Sequence, residues 1–309
     1  MRIGIYRGDA SSGPIDKLID AARDAAAAGF ASFWIPQTMG MDAMTALAVV
    51  GREVPDLELG IAVVPTFPRH PIVMAQQALT TQSITGGRLT LGIGLSHRPI
   101  IEGSYGYPFE RPLRHMREYL DALVPLLRDG AVNVSGETIT ARIGLDVRGA
   151  SPVRVLIAAL GPQMLELAGA RADGTVTWMT GPVTLRDHVI PTIAAAAAAA
   201  DRPAPSVGAG FPLCITDDVD AARANAAETF AIYGTLPSYR AMLDREGAAG
   251  PGDVAIVGDE ATARAEIDAL GALGVTDLVA SVFGSAEERD RTYAFLGDLL
   301  AGSPAARGA

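Results

Sequence analysis

The chain has 309 residues, a formal net charge of −10 and a pI near 4.9, a balance that argues against a general nucleic-acid binder and against an electrostatic membrane anchor. One lysine, Lys17, with no Gly-Lys-Ser/Thr sequence, excludes a P-loop, and one cysteine, Cys214, excludes an intrachain disulfide, a cysteine-rich zinc site and an iron–sulfur cluster.

Arg2 to Tyr6 is a short β-rich run. Residues 14 to 28 carry helical spacing (Ile15, Leu18, Ile19, Ala22, Ala26), and Gly29 supplies the stop. Ala31 to Ile35 reads as a second strand and residues 42 to 53 as a second helix. Leu57 to Val64 is a third strand, Pro71 opens a third helix, and Arg88 to Gly94 is a fourth strand. Residues 112 to 128 place Leu113, Met116, Leu120, Leu123 and Leu127 on one helical face. Residues 131 to 151 break the rhythm with β-like pieces at 132–134 and 138–143. Alternation resumes with a strand at 153–158, a helix from Pro162 to Arg171 and a strand at 175–179. A helix at 183–200, a strand at 207–215 and a helix at 217–232 follow. An irregular region spans 234–256. A helix at 259–272, a strand at 276–283 and a helix at 286–300 close the chain.

Eight strands separated by helices predict a parallel sheet, best satisfied by a (β/α)8 TIM barrel with insertion segments. We expect one barrel over residues 1–309, with excursions near 131–151 and 234–256. The Rossmann alternative wants Gly-x-Gly-x-x-Gly after the first strand, and Arg7 to Gly13 does not match it. The amino terminus lacks the apolar stretch of a signal peptide, and Ile193 to Ala200 is too short to span a bilayer. A cytoplasmic protein is expected, with no membrane or nucleic-acid partner.

A barrel puts its chemistry at the carboxyl ends of its strands. The tips after strands two to six hold no cluster of His, Asp and Glu, so no metal site is expected. They are small, apolar and weakly polar, which suits a flat organic cofactor that carries its own chemistry. Gly161-Pro162-Gln163 leads into a helix whose free N–H groups can hold a phosphate without lysine; a plain turn and cap is the alternative. Thr180-Gly181 can add a hydroxyl and an amide. His97, two residues past the fourth strand, is a candidate proton donor or ligand contact. His70 is expected to help begin a helix, His115 and His188 to be surface residues, and Cys214 to be inert core. Trp178 and Met179 are expected to pack close to the site. Arg69 and Arg98 face either solvent or a polyanionic cofactor tail.

The stretch His70-Pro71-Ile72-Val73-Met74-Ala75-Gln76-Gln77-Ala78-Leu79, then Gly86 to Gly94, resembles the bacterial-luciferase-like superfamily of flavin and deazaflavin oxidoreductases. Ala28-Gly29-Phe30, Tyr105-Gly106, Ala172-Asp173-Gly174 and Leu273-Gly274-Val275-Thr276-Asp277 fit the same family, so the likeness runs nearly end to end. It is most similar to the branch that uses coenzyme F420, a 5-deazaflavin, with FMN as the alternative cofactor. The resemblance implies a non-proline cis peptide in the Ala62–Val63–Val64 stretch that supports the ring, with Thr66 just beyond it. It implies that Gly94, Leu95 and Ser96 hold the ring edge, and that Leu160-Gly161 and Thr180-Gly181 hold the phosphate; Gln163 and Met179, beside those tips, join them as cofactor-binding candidates. Gln37 sits where relatives place a polar residue near the ring, and joins His97 as a catalytic candidate. The implied activity is hydride transfer at C5 of the deazaflavin, to or from a small organic substrate, in a homodimer. An FMN-dependent monooxygenase and a non-catalytic flavin-binding barrel are the alternatives.

Overall fold

Strand and helix alternate as the spacing predicts in the computed structural model, which describes residues 1–302. The first half runs β1 (Arg2–Tyr6), α1 (Ile15–Ala27), β2 (Ser32–Ile35), α2 (Ala43–Glu53), β3 (Glu58–Pro65), α3 (Pro71–Ile84) and β4 (Leu89–Gly94). A short α4 (Arg98–Gly103) precedes α5 (Pro112–Asp129). The excursion is an antiparallel hairpin of β5 (Ala131–Ser135) and β6 (Thr140–Gly144). Then come β7 (Arg154–Ile157), α6 (Pro162–Arg171), β8 (Gly174–Trp178), α7 (Pro182–Thr184), α8 (Ile190–Ala199) and β9 (Ser206–Ile215). The last part holds α9 (Val219–Thr229), α10 (Ala231–Thr235), α11 (Pro237–Glu246), β10 (Ile256–Gly258), α12 (Glu260–Leu273), β11 (Asp277–Val282) and α13 (Ala286–Ala301).

Helix ends follow local chemistry. Asp42 caps α2 by accepting from the Thr45 N–H at 3.0 Å, and His70 Nδ1 accepts from the Ile72 N–H at 3.3 Å, so His70 does begin a helix. Ser285 and Glu288 form a reciprocal capping box on α13. Gly29 (φ 83°) and Gly274 (φ 106°) turn the chain out of α1 and α12 in the left-handed region.

The strands pair in the order β9-β11-β1-β2-β3-β4-β7-β8, all parallel, and β8 pairs again with β9. The sheet therefore closes into a (β/α)8 barrel. Side chains alternate, so Phe33 and Ile35 face the helices while Ser32 and Trp34 face inward. Trp34 fills the barrel interior with Leu156, Val176 and Val279, and its Nε1 donates to Ser32 Oγ at 2.8 Å. Its register partner is Gly60, where a Cβ would stand 2.2 Å from the Trp34 ring; the glycine is what makes room.

Three sequence expectations change. The region 234–256 is not irregular: it holds the end of α10, all of α11, a 3-10 turn at Pro251–Val254, and the start of β10. β10 pairs with the far end of β9, outside the ring of eight. These pieces are too short for a periodic apolar signal. The long helix expected at 183–200 is interrupted by a π-turn at Leu185–Val189. The stretch between the fourth strand and the helix at 112–128, where the spacing predicts no element, contains α4.

The amino-terminal face of the barrel is tied by ions. The Asp277 carboxylate, only 4% exposed, meets Arg2 at 2.8 Å and Arg154 at 3.3 Å and accepts from Thr276 Oγ1 at 2.7 Å. Burial pushes its pKa up, but the Thr276 hydroxyl and the two guanidinium groups outweigh burial and hold it below the usual carboxylate range. Arg2 also pairs with Glu58, so β1, β3, β7 and β11 share one network. Breaking a buried pair strands its partners, so Asp277→Ala is expected to cost about 3–5 kcal/mol of folding stability. Urea unfolding of the two proteins measures it, and Asp277→Asn is expected to recover part of the loss.

Candidate active site

The opposite face is open. Where β3 reaches it, the register against β4 shifts between Ile61 and Val64, and the Ala62–Val63 peptide is cis, at the position the family likeness implied. This bulge presses on β4. A Cβ at Gly92 would lie 2.1 Å from the Ile61 carbonyl oxygen, and one at Gly94 would lie 2.7 Å from Val63 Cγ2. Only glycine passes there.

A cavity of about 280 Å³ lies above the bulge and above the Trp34 layer. Its two sides differ. The tips of β3, β4 and β7 give Ala62, Val63, Gly94, Ser96, Ala158 and Gly161, a shallow wall of small side chains and backbone. Leu95, His97 and Leu160 complete that side. Across from it stand Tyr6 from β1, Trp178 from β8, and Tyr233 and Tyr239 from α10 and α11. Tyr6 stacks on Trp178 at 5.7 Å, and Tyr233 meets Tyr239 edge-on at 4.9 Å. His97 lies 6.0 Å from Tyr239.

The lining holds no Asp, Glu, Lys or Arg. Burial raises the pKa of Tyr6 and of Tyr239, with neighbouring tyrosines adding to it, so both phenols stay neutral at physiological pH. Burial also raises Tyr233; the Trp178 indole opposes that shift without reaching hydrogen-bond geometry. Trp178 Nε1 is buried with no acceptor among the described residues. Burial lowers the pKa of His97, so its ring is neutral at pH 7 and offers one donor and one acceptor. Among the described residues no group of His, Cys, Asp and Glu could hold a metal ion.

Of the residues singled out from the sequence, Val63, Gly94, Leu95, Ser96, His97, Leu160 and Gly161 meet at this cavity. Ser96 holds a left-handed backbone there, φ 60°. The others are placed elsewhere. Gln37 turns its Oε1 to the Ala43 N–H at 2.8 Å, supporting the start of α2. Val64 alternates into the core behind the sheet. Gln163 is exposed on α6, and its neighbour Met164 takes the lining position. Met179 packs under Leu243 and Val254. Thr180 is buried, its hydroxyl donating to the Trp178 carbonyl at 3.4 Å.

The second suggested phosphate tip is already filled from within the chain. The Glu246 carboxylate accepts from the Val183 N–H at 3.1 Å and the Thr184 N–H at 2.7 Å. Gly181 accommodates this carboxylate, since a Cβ there would stand 2.2 Å from it. At Gly161, by contrast, a Cβ would meet nothing within 4 Å, so the start of α6 faces open space.

Sequence reasoning passed over Tyr6, Tyr233 and Tyr239. Tyr6 ends the first strand and carried the same positional signal as the tips inspected. The other two lie on short helices with no pattern to mark them. Arg69 and Arg98 are both matched by acids. Arg69 pairs with Asp42 at 2.7 Å, and Arg98 pairs with Glu102 and covers Phe109. Nor are His115 and His188 surface residues. His188 is buried against the Leu160 carbonyl, 2.8 Å away. His115 stacks on Phe67 at 4.0 Å and bonds Thr66 Oγ1 at 3.0 Å, so Thr66 faces this histidine rather than the cavity. Outer helices in a barrel have an inner face, and both rings lie on it. Cys214 is buried as expected, its thiol pushed up to about 11, chiefly by burial.

A (β/α)8 barrel whose strand tips enclose an uncharged, aromatic-walled cavity is the frame of an enzyme. The chain belongs to the luciferase-like monooxygenase family, whose model matches residues 3–288. It is similar to the 5,10-methylenetetrahydromethanopterin reductase of Methanolobus tindarius, 28% identical over 291 residues, which covers 94% of this chain and 88% of that one. Its fold matches the coenzyme F420 dependent tetrahydromethanopterin reductase of Methanopyrus kandleri with a TM-score of 0.79, at 22% identity over 96% of this chain and 97% of that chain. It also matches the FMN-bound oxygenating constituent of 3,6-diketocamphane monooxygenase of Pseudomonas putida with a TM-score of 0.75, at 16% identity over 98% and 97% of the two chains. No helix of the described residues is long and apolar enough to cross a membrane.

Burial lowers the pKa of His115 to about 4, against a weaker opposing pull from Glu118. The folded state therefore holds it neutral while the unfolded chain, near 6.5, takes up a proton first. Its contribution is intact above about pH 6.5 and is lost as pH falls toward 4. Thermal unfolding across that window is expected to show a steeper decline for the natural protein than for His115→Gln. Parallel curves would assign the acid sensitivity to other groups.

Proposed function

We propose that this enzyme is a deazaflavin-dependent oxidoreductase that uses coenzyme F420 to move a hydride to or from a small organic substrate. The observation that carries this reading is the division of the cavity. Its shallow side, over the β3 bulge, is lined mainly by backbone and by the small residues Ala62, Gly94, Ser96, Ala158 and Gly161, which suits a planar ring. The two reductases above, one of them described as coenzyme F420 dependent, support the same reading. When bound, the deazaflavin supplies the reactive carbon that gives or takes the hydride.

The residues present fit that group. Gly94, Leu95 and Ser96 would bring backbone to the ring edge, and Ala62 and Val63 would form its bed. The start of α6 at Gly161 gives amide groups to a phosphate, and the open space before it leaves room. No lysine is needed. His97, neutral at pH 7, can donate a proton to a substrate oxygen or accept one from it. A cytoplasmic homodimer is the form expected by analogy with the superfamily.

Absorbance titration of the purified protein tests the cofactor. Tight binding of coenzyme F420, with FMN at least tenfold weaker, is expected; the reverse order overturns the reading in favour of a flavin monooxygenase. Gly161→Val tests the phosphate seat. Gly161 has φ −75°, which any residue adopts, and its surroundings are open, so the fold is expected to be unaffected. A valine side chain placed before the α6 amides is expected to weaken F420 binding about tenfold, ~1.4 kcal/mol, at unchanged melting temperature.

A further inference from the structure

We infer that His188 is a positioning residue for cofactor binding: its ring holds the Leu160 carbonyl and so fixes the direction of the Gly161 N–H. This rests on the reading that the start of α6 seats the cofactor phosphate.

That seat has few donors. Pro162 has no N–H, so the start of α6 offers the Gly161 and Gln163 amides before the first bonded one, that of Met164. Neither the Gly161 N–H nor the Gln163 N–H meets an acceptor among the described residues. The Gln163 amide is aimed by the helix it belongs to. The Gly161 amide lies before the helix, and its direction is set by the peptide plane it shares with Leu160.

One contact holds that plane. The Leu160 carbonyl accepts from His188 Nε2 at 2.8 Å and from no other group among the described residues. A carbonyl can only accept, so the ring carries its hydrogen on Nε2. The Leu160–Gly161 peptide is trans, and its C=O and N–H therefore point in opposite directions. With the carbonyl drawn to a buried ring, the amide is turned the other way, and Gly161 itself borders open space at the edge of the cavity.

The chain departs from a regular helix where it places this ring. His188 lies in the π-turn at Leu185–Val189, where the Ile190 N–H reaches back five residues to the Leu185 carbonyl. Such turns are rare and are frequent at functional sites. Leu185 and Val189 are buried in the core, while Arg186 and Asp187 are exposed and pair with each other at 2.6 Å. His188 is thus the one buried polar side chain of the turn, and the tip it holds is 28 residues away in the chain.

Two pairs of ligands separate a phosphate contact from general support of the fold. One is coenzyme F420 against its ribityl deazaflavin core without phosphate and tail; the other is FMN against riboflavin. Absorbance and fluorescence titrations measure all four on the natural protein, His188→Leu, His188→Asn and His188→Gln. Leucine brings no donor, asparagine holds its amide too near the backbone to reach the carbonyl, and glutamine can place an N–H near the position of Nε2. His188→Leu and His188→Asn are expected to weaken the phosphate-bearing cofactor about three- to tenfold and to leave its phosphate-free partner unchanged. His188→Gln is expected to bind both as the natural protein does. Equal weakening of both members of a pair, or of neither, overturns the proposal, as does a His188→Gln protein as weak as His188→Leu. A natural protein that favours FMN over F420 refutes the cofactor reading instead, and the FMN–riboflavin pair then decides the role of His188. A natural protein that gains nothing from the phosphate in either pair overturns both.

Discussion

A parallel strand needs a neighbour on each side to satisfy its backbone N–H and C=O groups. Eight parallel strands meet that need for every member only when the last pairs with the first. Here β9 does this, pairing with β8 through Ser206 to Gly210 and with β11 through Gly208 to Leu213. Everything that follows depends on this closure. It brings the carboxyl ends of all eight strands to one rim. It also encloses an interior so narrow that Trp34 fits only because Gly60 stands across from it. The ends of the barrel then divide by chemistry. One is sealed by the Asp277 network, and the other carries the cavity.

Closure also explains why the site has two unlike halves. At β3 the bulge thrusts the Ile61 carbonyl and the Val63 side chain against β4, and Gly92 and Gly94 yield the space. The wall there is low and backbone-rich. On the far side no bulge intrudes, and Tyr6 and Trp178 stand at full height. The segment between β9 and β10 folds over them and adds Tyr233 and Tyr239. The same segment ends at Glu246, whose carboxylate occupies amides that a second anion would otherwise claim. The start of α6, by contrast, keeps open space before its amides.

Much of this was legible in the residues. The eight barrel strands, the hairpin excursion and the caps at Asp42, His70 and Gly29 follow from short-range rules that act within a few residues. Half of the candidate site was legible for the same reason: a strand tip is a local feature, and Gly94 to His97, Leu160 and Gly161 were found by position. The misplaced candidates share one cause. Gln37, Thr66 and Gly181 also lie at or near strand tips, yet each is engaged by a group remote in sequence or turned to a neighbouring helix. Thr66 meets His115, and Gly181 lies against Glu246.

By itself, then, the sequence determined the alternation of strands and helices and the eight-strand count, and its single lysine and single cysteine excluded a P-loop and an intrachain disulfide. These depend on periodicity, capping and composition, which are properties of neighbouring residues. Only the tertiary structure decided which side chains share the cavity, that its lining is uncharged, and that His115 is held neutral. Those properties depend on burial and on contacts between segments tens to hundreds of residues apart, and no local pattern encodes where a folded chain excludes water.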